Sequence, residues 1–413
     1  MRRARRVLTF GAAACAAAVT LSASPAVAGP APDSALRAAM LATLDAGATG
    51  MMARVDDGRD VTRIGVGVAR LDPRRPIRLG DQVRVGSITK SMVSTVALQL
   101  VGEGRLRLGD TVERWLPGLV PGGEKITIRM LLNHTSGIYN YTEDPGFIPA
   151  ILADPYRYWS PRELVAVATS HEPLFAPGTS WSYSNTGYIL VGLVLEKVTG
   201  TPIQTLLDRR VIRPLHLHDT FFATSGRFRG SYAHGYLPPS FTGDGYLDVS
   251  GWPPSWAWAA GAVVSTAADL AHFYQALMSG RLLRPWLLEQ MTTTVAVAEG
   301  FRYGLGIYAM STACGEVWGH DGGIPGYVSF AYTDRRGSRS SVVLLPTQPD
   351  DAMIAAGMSI IDIAVCLMLG QPAPAADTVR SAAVFDLPAA GLNRSKDLAW
   401  PRSRSQSRHA AAA

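Results

Sequence analysis

The sequence predicts an α+β fold: an antiparallel sheet flanked by helices, with a mostly helical lobe inserted into it. Three observations carry this. Segments that alternate or are β-rich lie near both ends of the chain, at residues 63–69 and again at 327–332 and 341–345. Between them runs a long stretch of helical spacing broken by polar connections. Residues 92–101 are apolar nearly all round, as a buried central helix is. A sheet built from both chain ends leaves a cleft against the inserted lobe, where a ligand would sit.

The elements follow in order. Residues 1–28 open with four arginines among the first six, continue apolar and end in Ala26-Val27-Ala28, the pattern of a cleaved signal peptide. Export and cleavage near Ala28 are therefore expected. Ala, Leu and Met at helical spacing predict a helix over 34–46, then a strand at 63–69 and a short one at 82–85. A helix is predicted from Ser87 to residue 101, stopped by Gly102 and Gly104. Further helices are expected at 126–132 and at 188–198, the second closed by Gly200. Thr266-Ala-Ala-Asp269 reads as a capping box opening a helix to Met278. Strands return at 317–318, 327–332 and 341–345, with Asp334-Arg-Arg-Gly337 as a hairpin turn, and 353–369 reads as an apolar helix. Beyond Gln371, Pro, Ala, Ser and Arg predominate, and a disordered tail is expected over 372–413. The sheet lobe then comprises 34–85 and 256–371, and the helical lobe 86–255.

Composition excludes several functions. The 413 residues hold 39 basic and 33 acidic side chains, and removing the leader's four arginines leaves the rest near neutral. With no basic stripe, a nucleic-acid partner is not expected. His216 and His218 have no matching Cys or acid cluster, so no metal is implied, and no cofactor motif appears. After the leader two cysteines remain, Cys314 and Cys366, and an oxidising compartment favours a disulfide between them. No stable membrane span is expected in the mature chain, and a monomer is.

Lysine is rare: Lys90, Lys125, Lys197 and Lys396 stand against 35 arginines. Lys90 follows Ser87 by three residues, which puts both on one face if a helix begins there. A buried lysine can lose its proton and act as a base near neutral pH, which arginine cannot. Alone, Ser-x-x-Lys reads equally well as a helix cap with a solvated lysine. Tyr183-Ser-Asn185 alone is a loop turn, and His320-Asp-Gly322 alone a glycine-rich hairpin. All three patterns occur once, in this order.

Together they resemble the serine β-lactamase/penicillin-binding superfamily. The likeness is nearest to the class C β-lactamases and secreted serine D-Ala-D-Ala carboxypeptidases, with the D-aminopeptidases and esterases of the same branch. Arg84-Val-Gly-Ser-Ile-Thr-Lys90, Leu132-Asn-His-Thr-Ser-Gly137, Gly261-Ala-Val-Val-Ser-Thr266 and Tyr303-Gly-Leu-Gly306 extend it across residues 34–370. The resemblance implies a β-lactamase/transpeptidase-like fold with its site in the cleft. It also implies Ser87 as nucleophile, Lys90 and Tyr183 sharing proton transfer, Asn185 positioning substrate, and His320 beside the leaving group. The N–H groups of Ser87 and Gly323 would form the oxyanion hole, and Trp159 and Trp256 would be cleft aromatics.

One departure bears on substrate. Such carboxypeptidases grip a terminal carboxylate with hydroxyls at the third motif and a nearby arginine. Here that motif reads His320-Asp321-Gly322-Gly323, and Tyr308 stands where the arginine is expected. A carboxylate at Asp321 would repel another, unless strand alternation turns it to the opposite face from His320. The sequence thus predicts a secreted serine hydrolase for D-amino-acid peptides, amides or esters, not a strict carboxypeptidase. The alternatives are a D-Ala-D-Ala carboxypeptidase, a β-lactamase, and a non-catalytic protein that only binds penicillin or peptidoglycan.

Overall fold

A computed structural model describes residues 33–372. The expected signal peptide and tail lie outside the described residues. A nine-stranded antiparallel sheet is built from both chain ends. Across it run Arg75–Pro76, Val61–Arg70, Gly50–Asp56, Ser340–Leu345, Tyr327–Thr333, Gly315–Ile324, Tyr308–Thr312, Phe301–Tyr303 and Val295–Ala298. The two ends meet where Gly50–Asp56 pairs with Ser340–Leu345, Met52 opposite Leu344.

Strand alternation divides the apolar residues between two cores. Val342 and Leu344 face one core, which holds Met92, Val93 and Val96 of the helix Thr89–Gly102. Val343 and Leu345 face the other, with Leu36, Met40, Ile361 and Val365 of the terminal helices. That second core also contains Tyr183. Ser87 and Tyr183 therefore approach one another where the two cores meet.

Several boundaries differ from expectation, each for a local reason. The helix predicted from Ser87 is α-helical only from Thr89; Gly86–Ile88 forms a tighter 3-10 turn before it. The helix expected at 188–198 begins at Asn185, which brings that residue into its first turn. Only half of the capping box forms: Thr266 accepts from the Asp269 N–H, while the Asp269 carboxylate accepts from Thr220 and the Asp219 N–H. The apolar helix expected at 353–369 is two helices, Asp351–Gly357 and Ile360–Met368. By length and composition 351–368 could cross a membrane, but 56% of it is buried in the fold, as a core helix is. The strand Gly50–Asp56 was not legible because Val55 is its single β-branched residue and Gly-Met-Met-Ala-Arg before it has no strand pattern.

Candidate active site

Ser87 sits in the 3-10 turn because the chain reverses sharply before it. Gly86 has φ +50°, and a Cβ there would lie 2.8 Å from both N and O of Gly323. Only glycine supplies that conformation and that approach together. The partner strand makes a matching allowance. A Cβ on Gly322 would lie 2.0 Å from the Val85 carbonyl oxygen. Ser329 Oγ donates to the same oxygen at 3.0 Å, fastening the sheet to the nucleophile turn. Gly323 thus borders the cleft beside Ser87. The Ser87 N–H, at the start of a helical turn, has no intrahelical acceptor.

Lys90, one turn on, is fully buried. Its Nζ contacts Ser87 Oγ at 2.8 Å, Asn185 Oδ1 at 2.7 Å and the Ala260 carbonyl at 2.8 Å. Asn185 is oriented by its own donor: Nδ2 donates to Thr142 Oγ1 at 3.2 Å, which leaves Oδ1 for Lys90. Two of the three lysine contacts are therefore acceptors only. A neutral amine spends both N–H groups on them and turns its lone pair to Ser87 Oγ. Burial holds the Lys90 amine well below its ordinary pKa, against the opposing pull of Asp321.

Tyr183 Oη donates to Ser87 Oγ at 2.8 Å. Burial drives its pKa well above the ordinary tyrosine value, more than the Ser87 contact lowers it. The phenol is a proton donor here, and Lys90 is the better base.

The cleft above Ser87 has an empty volume of about 430 Å³. Its walls include Tyr141, Thr142, Ile148, Asn185, Trp256 and Ile324, and none of its lining residues is charged. Trp256 is on the wall as expected. Trp159 is not: it is buried against Phe147, with Arg157 over its ring. Tyr141, Thr142, Ile148 and Ile324 were missed, because loop aromatics and short apolar residues carry no signal of which cavity they meet.

The third motif also lies differently from expectation. His320 is fully buried and does not line the cleft. Its Nδ1 donates to the Asp321 carbonyl at 2.6 Å, so Nε2 accepts from Tyr303 Oη at 2.7 Å. Burial first, then Lys90, lowers its pKa to about 3, so the ring is neutral. Its 3.7 Å approach to the Asp321 carboxylate is therefore no ion pair. Asp321 and Tyr308 are not substrate-facing either. Tyr308 Oη donates to Asp321 Oδ1 at 3.1 Å and contacts Tyr332 Oη at 2.8 Å, all buried. Burial raises the Asp321 carboxyl to about 7, against the Tyr308 hydrogen bond. Gly322 meets the Val85 carbonyl rather than the cleft. These corrections share one cause: Gly315–Ile324, which carries His320, Asp321 and Gly322, and its neighbour Tyr308–Thr312 are both interior strands of the sheet, where side chains enter packed layers.

Cys314 and Cys366 come together in bonding geometry, Cα atoms 5.2 Å apart. Among the described residues no group of three His, Cys, Asp or Glu converges as a metal site.

The Beta-lactamase family model matches residues 36–364. A D-stereospecific amidohydrolase from Streptomyces sp. is similar in structure and 43% identical. Its TM-score is 0.71, and the match covers 78% of this chain and 97% of that one. The D-amino acid amidase of Ochrobactrum anthropi SV3, complexed with L-phenylalanine, is 27% identical at a TM-score of 0.72, covering 81% and 98%. Penicillin-binding protein 4* of Bacillus subtilis (strain 168) is 27% identical over 330 residues, 74% of this chain and 69% of that protein.

Proposed function

The chain belongs to the beta-lactamase family, and from that premise we propose an exported serine hydrolase that forms an acyl-enzyme at Ser87 and acts on D-amino-acid amides, related peptides or esters. One observation carries the chemistry: Lys90 Nζ and Tyr183 Oη each lie 2.8 Å from Ser87 Oγ, on different sides of it in the hydrogen-bond chain. Neutral Lys90 takes the Ser87 proton as Oγ attacks the substrate carbonyl. The N–H groups of Ser87 and Gly323 receive the developing oxyanion. The leaving nitrogen departs with a proton delivered through Tyr183 Oη, replaced by the one Lys90 took. Water then attacks the ester by the reverse transfers and frees Ser87.

The uncharged cleft supports the substrate reading. Nothing on its walls pairs with a free carboxylate, whereas an amide or ester needs no counter-ion. Two similar structures are, by name, a D-stereospecific amidohydrolase and a D-amino acid amidase. Export and a Cys314–Cys366 disulfide complete the proposal, supported by the leader composition and the sulfur geometry.

Mass spectrometry after exposure to a fluorescent penicillin and to p-nitrophenyl acetate tests the chemistry. A Ser87 adduct, absent in Ser87→Ala, is expected with at least one of them; no adduct with either rejects the acyl-enzyme. Steady-state kinetics on a D-amino-acid amide and on acyl-D-Ala-D-Ala test the substrate. A kcat/KM favouring the free acid rejects that half of the proposal. A long-lived penicillin adduct with no amide turnover would make the protein a penicillin binder.

A further inference from the structure

His134 has no place in the chemistry above, yet it holds the residues on both sides of Tyr183. Its backbone carbonyl accepts the Ser182 N–H at 3.1 Å. Its ring Nδ1 accepts the Ser184 N–H at 3.2 Å. Between these bonds its ring lies against the phenol itself, centroids 4.3 Å apart. On its other sides it meets Tyr303 at 4.6 Å and Tyr188 at 5.5 Å. His134 is buried and adopts φ +63°, a conformation that side chains other than Asn, Asp and His seldom take. That backbone turn lets one residue present both its carbonyl and its ring to the same short segment.

Because Nδ1 accepts, Nε2 carries the proton, and among the described residues Nε2 makes no protein hydrogen bond. The imidazole stays neutral, since burial, then Lys90 and His320, lower its pKa well below the ordinary value. What the ring supplies to the segment is one acceptor at the Nδ1 position and a close packing contact against the phenol, the two rings tilted by 38°.

We propose that His134 is a positioning residue for Tyr183: it clamps the backbone at Ser182 and Ser184 and backs the ring, so that the phenolic proton stays aimed at Ser87 Oγ. The inference rests on the acyl-enzyme reading of Ser87. Misplacing a proton donor by about an ångström can cost about 10²-fold in rate.

The test compares His134→Asn, His134→Gln and Tyr183→Phe, alone and combined, by Ser87 acylation rate with p-nitrophenyl acetate. Asn places Oδ1 where Nδ1 stood and tolerates the positive φ; the Gln oxygen reaches the Nε2 position instead. His134→Gln is expected to slow acylation about 10²-fold at unchanged KM, and His134→Asn to restore most of it. In a Tyr183→Phe background, His134→Gln should add little, because its effect passes through the phenol. Thermal melting checks that the variants are folded. Equal rates for wild type and a folded His134→Gln overturn the clamp, as does a full additional loss in the Tyr183→Phe background. If His134→Gln does not fold, the Asn variant decides: a rate as low as that of Tyr183→Phe overturns the inference. A wild type that gives no Ser87 adduct overturns the acyl-enzyme reading and this inference with it.

Discussion

Lys90 Nζ lies 2.8 Å from Ser87 Oγ, and its two remaining contacts, Asn185 Oδ1 and the Ala260 carbonyl, can only accept. The amine's lone pair is thereby aimed at the serine by its own neighbours. Lys90→Met and Lys90→Arg should both lower Ser87 acylation by about 10²–10⁴-fold. Arginine should not rescue, because it keeps its proton. Acylation by Lys90→Arg at the wild-type rate would show that positive charge, not proton acceptance, is what the site needs.

The same geometry sets the pH profile. Lys90 must be neutral to act, and its pKa lies well below 10.5. Tyr183 must keep its proton, and its pKa lies well above 10.0. Acylation should rise with pH through the lowered lysine pKa and then hold level toward pH 10. A rate that begins to climb only above that value would identify a phenolate base instead. Rates with p-nitrophenyl acetate across the range, corrected for spontaneous hydrolysis, distinguish the two.

Asp321 should mark the pH dependence of stability. Its folded pKa is about 7 against an ordinary 3.8. Between these values the folded state holds the extra proton, so stability is full below the lower value and declines as pH rises through the higher one. His320, lowered from 6.5 to about 3, acts in the opposite sense over its own window. Asp321→Asn removes the first effect and leaves the second. Urea unfolding should show the variant gaining stability relative to wild type as pH rises toward 7; a constant difference would refute this.

Gly86→Ala should remove activity and stability together. The positive φ costs about 1–2 kcal/mol for alanine, and its Cβ would press on the Gly323 backbone at 2.8 Å. That contact sets the spacing of the two N–H groups at the proposed oxyanion hole. Denaturant melts and acylation rates on one preparation should both fall, and an active, unshifted variant would contradict the packing.

Much of this protein was legible without coordinates. Residues 327–332 and 341–345 are short apolar runs of β-forming residues, and they are central strands. The all-round apolar residues from Met92 on form the buried helix Thr89–Gly102. Helix starts were less clear, because the turn at Gly86–Ile88 and the entry at Asn185 depend on contacts with distant segments. The strand Gly50–Asp56 forms because Ser340–Leu345 and Val61–Arg70 flank it, a condition no local pattern encodes.

The site divides in the same way. Ser-x-x-Lys and Tyr-x-Asn name residue types whose chemistry is specific, and a chain that otherwise prefers arginine keeps a lysine at position 90. Sequence alone therefore determined the family text and the group that could act as a base. Which side chains face the cleft was decided by tertiary packing. His320 and Asp321 on Gly315–Ile324, and Tyr308 on the adjoining strand Tyr308–Thr312, are carried into buried layers, while Tyr141 and Thr142 of one 3-10 turn and Ile324 at a strand end arrive at the cleft. The pKa values followed from the same cause. Burial, which exists only in the folded chain, is the largest influence on Lys90, Tyr183, His320 and Asp321 alike.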